Sequence, residues 1–281
     1  MKSKIDTMKK LTVILLVAAM VIIPSCKNQN NKKAQKEAEK TEISEKEQLI
    51  TEELKVNLQN LTESAKRLKK IAFIQKRTDG SFTLTDKEKM VKPEYLLDPA
   101  LANNLVTLSQ KYRAWQMFNV DKVVCDMYDM PVADYDAALQ KISIDLNDPA
   151  LNEFKDADWN DNEALKASLD KFIDAEYESG RAAFMWDSVA ASLVEQLFVI
   201  TQNMDKFLTL FDDQAAADIT FNFVCVHEGI MSLIEFYPEM EGLNNALMPL
   251  YVINAISVDQ LRDQLTELKG EIEVVRAYLL K

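Results

Sequence analysis

Histidine, glycine and cysteine are scarce: the 281 residues include one His, five Gly and three Cys. A single histidine leaves little room for imidazole catalysis. It also excludes, in its usual form, a ferritin-like di-iron site, which takes Glu-x-x-His from two helices. Phosphate-cradling loops need closely spaced glycines, and Gly80, Gly180, Gly229, Gly242 and Gly270 stand far apart. The glycine-flanked serine of a hydrolase elbow is missing as well. Basic charge is short, with 33 Lys+Arg against 45 Asp+Glu and a net charge of -12, so nucleic acid is a poor partner. Strand signals are weak: Phe82 and Leu84 alternate with Ser and Thr, but one such stretch cannot stand alone. No repeat of tetratricopeptide or HEAT length is visible. An α/α-barrel glycosidase could work with carboxylates alone, but needs more helices than this chain can supply.

What is present begins with an address. Lys2, Lys4, Lys9 and Lys10 precede an apolar run from Leu11 to Ile23, interrupted only by Thr12 and followed by Pro24-Ser25-Cys26. At about 1.5 Å per residue the run reaches roughly 20 Å, short of the roughly 30 Å hydrocarbon core of a bilayer. It suits a cleaved export signal over residues 1–25 better than a permanent span. Met8-Lys9-Lys10 with the same run is already a complete signal, so either Met1 or Met8 serves as a start.

Ile23-Pro24-Ser25-Cys26 resembles the lipobox of Gram-negative bacterial lipoproteins, with a branched residue three before the cysteine and proline in place of the commoner residue at the second-last position. The resemblance covers about 26 residues of the chain. It implies cleavage before Cys26, diacylation of its thiol and acylation of its new amino group. Multiple acyl chains anchor firmly, since each buried CH₂ contributes about 0.8 kcal/mol. Lys27 stands where an inner-membrane retention signal would place Asp, and no acidic residue occurs from Asn28 to Lys33. Both features point to an outer-membrane anchor facing the periplasm.

Charge is distributed unevenly. From Lys27 to Arg77 there are 13 basic and 8 acidic residues; from Thr78 to Lys281 there are 16 against 36, a balance of -20. Residues 26–48 contain few apolar side chains beyond Ala34, Ala38 and Ile43, and read as a polar tether. Residues 49–281 read as an all-α, single, bundle-like domain of about seven or eight helices with a long N-terminal helix. That first helix carries Leu54, Leu58, Leu61, Ala65, Leu68 and Ala72 on one face and ends near Thr78-Asp79-Gly80.

Later starts are marked by Thr85 with Glu88, Asp98-Pro99, Asp148-Pro149, Asn160 with Glu163, and Ser257 with Gln260. The spacing of Leu101, Leu105, Leu108, Tyr112, Trp115 and Asn119 predicts one long helix after Pro99. Pro131 marks a break before a helix over 132–146, and Pro249 splits 243–255. The stretches 181–211 and 218–237 are apolar almost all round and belong at the centre.

Within this apolar setting four ionisable groups form a candidate buried polar network: Arg181, Asp187, Glu195 and His227. Asp187 and Glu195 lie on one face of the first apolar stretch, where buried acids need partners or lose their charge. Arg181 and His227 are the expected cations. Asp156-Ala157-Asp158-Trp159-Asn160 resembles the start of a calcium loop, but Asp161 and Ala167 stand where Gly and a bidentate Glu belong. An N-capped turn is the better account. Cys125 and Cys225 are flanked by valines, which favours core packing over a disulfide.

No cofactor, metal site or catalytic residue is implied. The expectation is a non-catalytic, lipid-anchored protein that binds a protein or other envelope component. The alternative is a binder of small apolar ligands with a pocket between the central helices near Trp186, Glu195 and His227. A carboxylate-dependent hydrolase ranks third.

Overall fold

The computed structural model describes residues 84–151 and 162–281, together with ten positions of a helical segment between 52 and 63. The export signal, Cys26, the tether, the end of the first helix, Phe82, and the Asp156–Asp161 turn with its Asn160 cap lie outside the described residues. The described residues are helical, with no strand among them. The protein is all-α.

Among the described residues after residue 84, nine α-helices have both ends described: α1 (Asp86–Met90), α2 (Leu108–Met127), α3 (Ala133–Leu146), α4 (Asn162–Glu178), α5 (Ala182–Gln202), α6 (Met204–Phe207), α7 (Asp213–Leu233), α8 (Met240–Leu247) and α9 (Val258–Leu279). Seven of them have eight residues or more, and short 3₁₀ turns occupy Pro99–Asn103, Leu208–Leu210 and Met248–Leu250.

The starts are written in side chains. Thr85 and Glu88 close a reciprocal capping box on α1, and Ser257 accepts from the Gln260 amide at α9. Asp98 caps as anticipated, but the element it opens is a single 3₁₀ turn. The one long helix expected after Pro99 is therefore two elements. Thr107 and Gln110 form a second capping box that starts α2 afresh after the polar Asn103-Asn104 pair. Pro249 ends α8 in a 3₁₀ turn, which replaces the helical hydrogen bond that proline cannot donate.

Helix α5 is the axis of the bundle and packs on α2, α9, α7 and α4. Among the described residues it alone has the length and hydropathy of a membrane span, yet 78% of that window is buried by its neighbours. It is a core helix. Trp186, Tyr112, Phe118, Phe207 and Phe223 are its largest buried companions, with Trp186 contributed by α5 itself. Cys125 and Cys225 are free, buried thiols in the same core.

Candidate functional site

The acids singled out by the sequence are buried, and so are four others. Glu195 is 0% exposed and Asp187 2%; Asp121, Asp148, Glu176 and Asp218 are also buried. Five of the six fall into three clusters.

In the first, α5 supplies Glu195 and α9 supplies Arg276. The guanidinium donates from Nε to Oε2 and from Nη2 to Oε1, both at 2.7 Å, in a bidentate pair. It also donates to the Tyr95 carbonyl at 3.3 Å and sits 3.9 Å above the Phe198 ring centre. Asp121 of α2 approaches the same carboxylate. Its Oδ2 accepts from the Leu97 amide at 2.8 Å, while Oδ1 receives no hydrogen bond from any described donor. A proton on Asp121 explains that oxygen, since it can be donated to Glu195. Burial first, then the charge of Glu195, pushes the Asp121 carboxyl up to about 8; the Leu97 amide and Arg276 pull the other way.

The cluster has a structural task. The irregular chain before Asp98 is buried at Leu97, and its polar backbone needs partners. Asp121 takes the Leu97 amide, Tyr135 donates to the Leu97 carbonyl at 2.8 Å, and Arg276 takes the Tyr95 carbonyl.

The second cluster lies at the α4–α5 corner. Gly180 adopts φ +72°, and two bonds close the end of α4: Arg181 N–H to the Glu176 carbonyl at 2.7 Å and Gly180 N–H to the Tyr177 carbonyl at 3.0 Å. This is the 6→1 and 5→2 pattern of a Schellman ending. It fixes Arg181 beside Glu176. Arg181 Nη1 donates to the Tyr112 hydroxyl at 3.3 Å and the Leu146 carbonyl at 3.2 Å, and lies 3.8 Å from Asp148 Oδ2. Tyr112 in turn donates to Asp148, whose other oxygen accepts from the Leu151 amide at 3.1 Å. Neither oxygen of Glu176 has a described donor. Burial, followed by the charge of Asp148, pushes Glu176 up to about 8, so it too holds a proton and donates it to Asp148.

Asp187 forms the third cluster. Arg113 donates to its Oδ1 from Nε at 2.7 Å and Nη2 lies 2.5 Å away; Ser109 donates to Oδ2 at 2.7 Å.

The expectation of buried acids held by cations is met, but the expected partners are not the ones used. Arg113 and Arg276 hold Asp187 and Glu195; Arg181 serves Asp148 and Glu176 instead. His227 joins none of these clusters. It is half-buried on α7, with its ring 4.3 Å from that of Tyr251. Its place on the opposite side of α7 from the α5 contact follows from helical phase, since Gly229 faces α5 and His227 stands two residues away. The Trp186 indole is buried and packs on the Gly229 backbone.

Asp121, Glu176, Arg113 and Arg276 were missed. The signal that exposed Asp187 was available for two of them: Asp121 sits in the stripe Ala114, Met117, Phe118, Val124, Cys125, and Glu176 in Leu169, Phe172, Ile173.

Chemically, the first two clusters each set two buried acids against one arginine, and burial favours the protonated form of Asp121 and Glu176. Cys225, in the middle of α7, is pushed up to about 11 by burial, which favours its thiol form at neutral pH. Among the described residues no group of three or more His, Cys, Asp or Glu side chains is disposed to hold a metal ion. No family model matches the chain, and no similarity joins it to a curated protein or to a solved structure.

Proposed function

We propose that this chain is a lipoprotein anchored to the outer membrane through Cys26, whose acidic helical body faces the periplasm and binds another macromolecule without transforming it. One observation carries the non-catalytic part of this reading. Among the described residues, the acids that burial most perturbs, Asp121 and Glu176, are enclosed in the core with Glu195, and they and Arg276 are engaged at loop backbone and a helix corner. A general acid or base must reach its substrate's proton, which these groups do not. The anchoring part rests on the lipobox of residues 23–26 and the basic stretch that follows it.

Two measurements test the proposal. Cys26→Ala should move the protein from the membrane to the soluble periplasmic fraction; retention in the membrane overturns the anchor. Cross-linking of intact cells, read by mass spectrometry, should return the same partner reproducibly; its absence overturns the binding role.

A further inference from the structure

Exposed apolar side chains gather on one flank of the body. On α7, Phe221, Val224 and Met231 face solvent within a narrow arc of the helix. The chain after α8 runs antiparallel beside that arc: Tyr251 meets His227, Thr220 donates to the Ala255 carbonyl at 2.8 Å, and the Val258 amide donates to Asp213 at 2.9 Å. Along it Leu250, Ile253 and Ala255 turn inward, while Met248, Val252 and Ile256 turn out, the last two 61% and 69% exposed. Six apolar side chains on two adjoining segments thus form one exposed surface, a feature that marks interaction sites when polar residues rim it.

The rim has one sign. Between Lys206 and Arg262 the chain carries eight acids, seven of them exposed, and neither Lys nor Arg. Glu228 lies on the surface between Phe221 and Val224 in helical phase, and Asp259 is exposed beyond Ile256. This charge discriminates among occupants. A second copy packed isologously would set acids against acids. An anionic lipid surface is repelled for the same reason. The chain's own tether has almost no apolar side chains to contribute from Asn28 to Gln48; residues 49–77, which carry an apolar stripe and basic residues, are the intramolecular competitor that the cross-links below distinguish.

We infer that this surface, formed by α7 and the segment Met248–Ile256, docks a helix of another protein whose apolar stripe is bordered by Lys and Arg. The inference rests on the binding role proposed above and names its surface. Apolar anchors supply the affinity of helix-on-face recognition, while complementary charge sets partner choice and on-rate.

Photo-cross-linking in cells tests this with the full-length, membrane-anchored chain. A photoreactive amino acid replaces Val224, Val252 or, as a reference on α3, the comparably exposed Ile144. Adducts at Val224 and Val252 but not Ile144, mapping to a partner peptide with apolar residues flanked by Lys or Arg, are expected. Adducts at Ile144 alone overturn the surface and leave the binding role standing. A doubled mass, a lipid adduct or a cross-link back to residues 49–77 of the same chain overturns the choice of occupant. Adducts at none of the three overturn both readings.

A binding measurement on the purified mature chain accompanies it. The probes are two helical peptides with the same Leu face, one bordered by Lys and one by Glu. The Lys peptide should bind, and Val252→Asp with Ile256→Asp should weaken it about tenfold or more, with helical content unchanged. Equal binding of both peptides, or no effect of the double substitution, overturns the inference.

Discussion

The indole of Trp186 lies directly on the backbone of Gly229: a Cβ there would fall 2.2 Å from Cζ2 and 2.5 Å from Cε2. Helices α5 and α7 therefore approach as closely as their backbones and this one ring allow. The indole is rigid and wholly buried, so it has nowhere to retreat.

Gly229→Ala should accordingly destabilise the protein by about 1–3 kcal/mol, in spite of alanine's better helix propensity. Trp186→Phe in the same chain should recover part of the loss, because it shortens the ring and removes an indole N–H that has no described partner. Urea unfolding of the two single variants and the double variant reads the coupling. Additive losses would show that the two residues do not meet.

Gly180 tests the corner that delivers Arg181. Its φ of +72° suits glycine, and an added Cβ meets no atom within 4 Å, so Gly180→Ala introduces backbone strain without a clash. The expected cost is about 1–2 kcal/mol. Gly180→Asn should cost less than Gly180→Ala, since asparagine tolerates the left-handed region. The reverse order would place the strain elsewhere.

How far these features were legible from the sequence depends on their range. The Thr85–Glu88 capping box and the Ser257 cap on the Gln260 amide each span four residues, and both were readable because local hydrogen bonds decide them. The interruption before Thr107 was equally local, but the apolar spacing through Leu101 and Leu105 masked it. That Asp187 and Glu195 are buried was readable from the apolar helix around them. That Arg113 and Arg276 hold them was not, because each pair joins helices 74 and 81 residues apart, and no periodicity encodes such a meeting. His227 was drawn to the acids by its rarity. Its helical phase, opposite Gly229, sends it to Tyr251.

Removing Arg276 should reveal how much the first cluster holds together. Arg276→Ala leaves Glu195 buried without its bidentate partner and frees the Tyr95 carbonyl, an expected loss of about 3–5 kcal/mol. Asp121→Asn is the informative contrast. The amide oxygen can keep the Leu97 N–H, and the NH₂ can donate to Glu195 as the protonated acid does, so at pH 5 the change should lie within about 1 kcal/mol of neutral. If Asp121→Asn proves as damaging as Arg276→Ala, Asp121 does not carry the proton assigned to it.

The two protonated acids also fix the direction of the pH dependence. Asp121 and Glu176 hold their protons in the folded protein up to about pH 8, whereas the unfolded chain releases them near pH 4. Between those limits the folded state binds more protons than the unfolded one, so stability falls as pH rises. It is fully present below about pH 4 and lost as pH climbs to about 8, with a slope of up to about 1.4 kcal/mol per pH unit for each group. The groups facing them act throughout: Glu195 and Arg276 around Asp121, Asp148 and Arg181 around Glu176. Glu88, held down to about 2 by the Thr85 backbone and hydroxyl, titrates below this window. Urea midpoints measured from pH 5 to pH 9 should therefore decline, and Asp121→Asn combined with Glu176→Gln should flatten the decline. An unchanged slope in the double variant would mean that neither acid is the proton store.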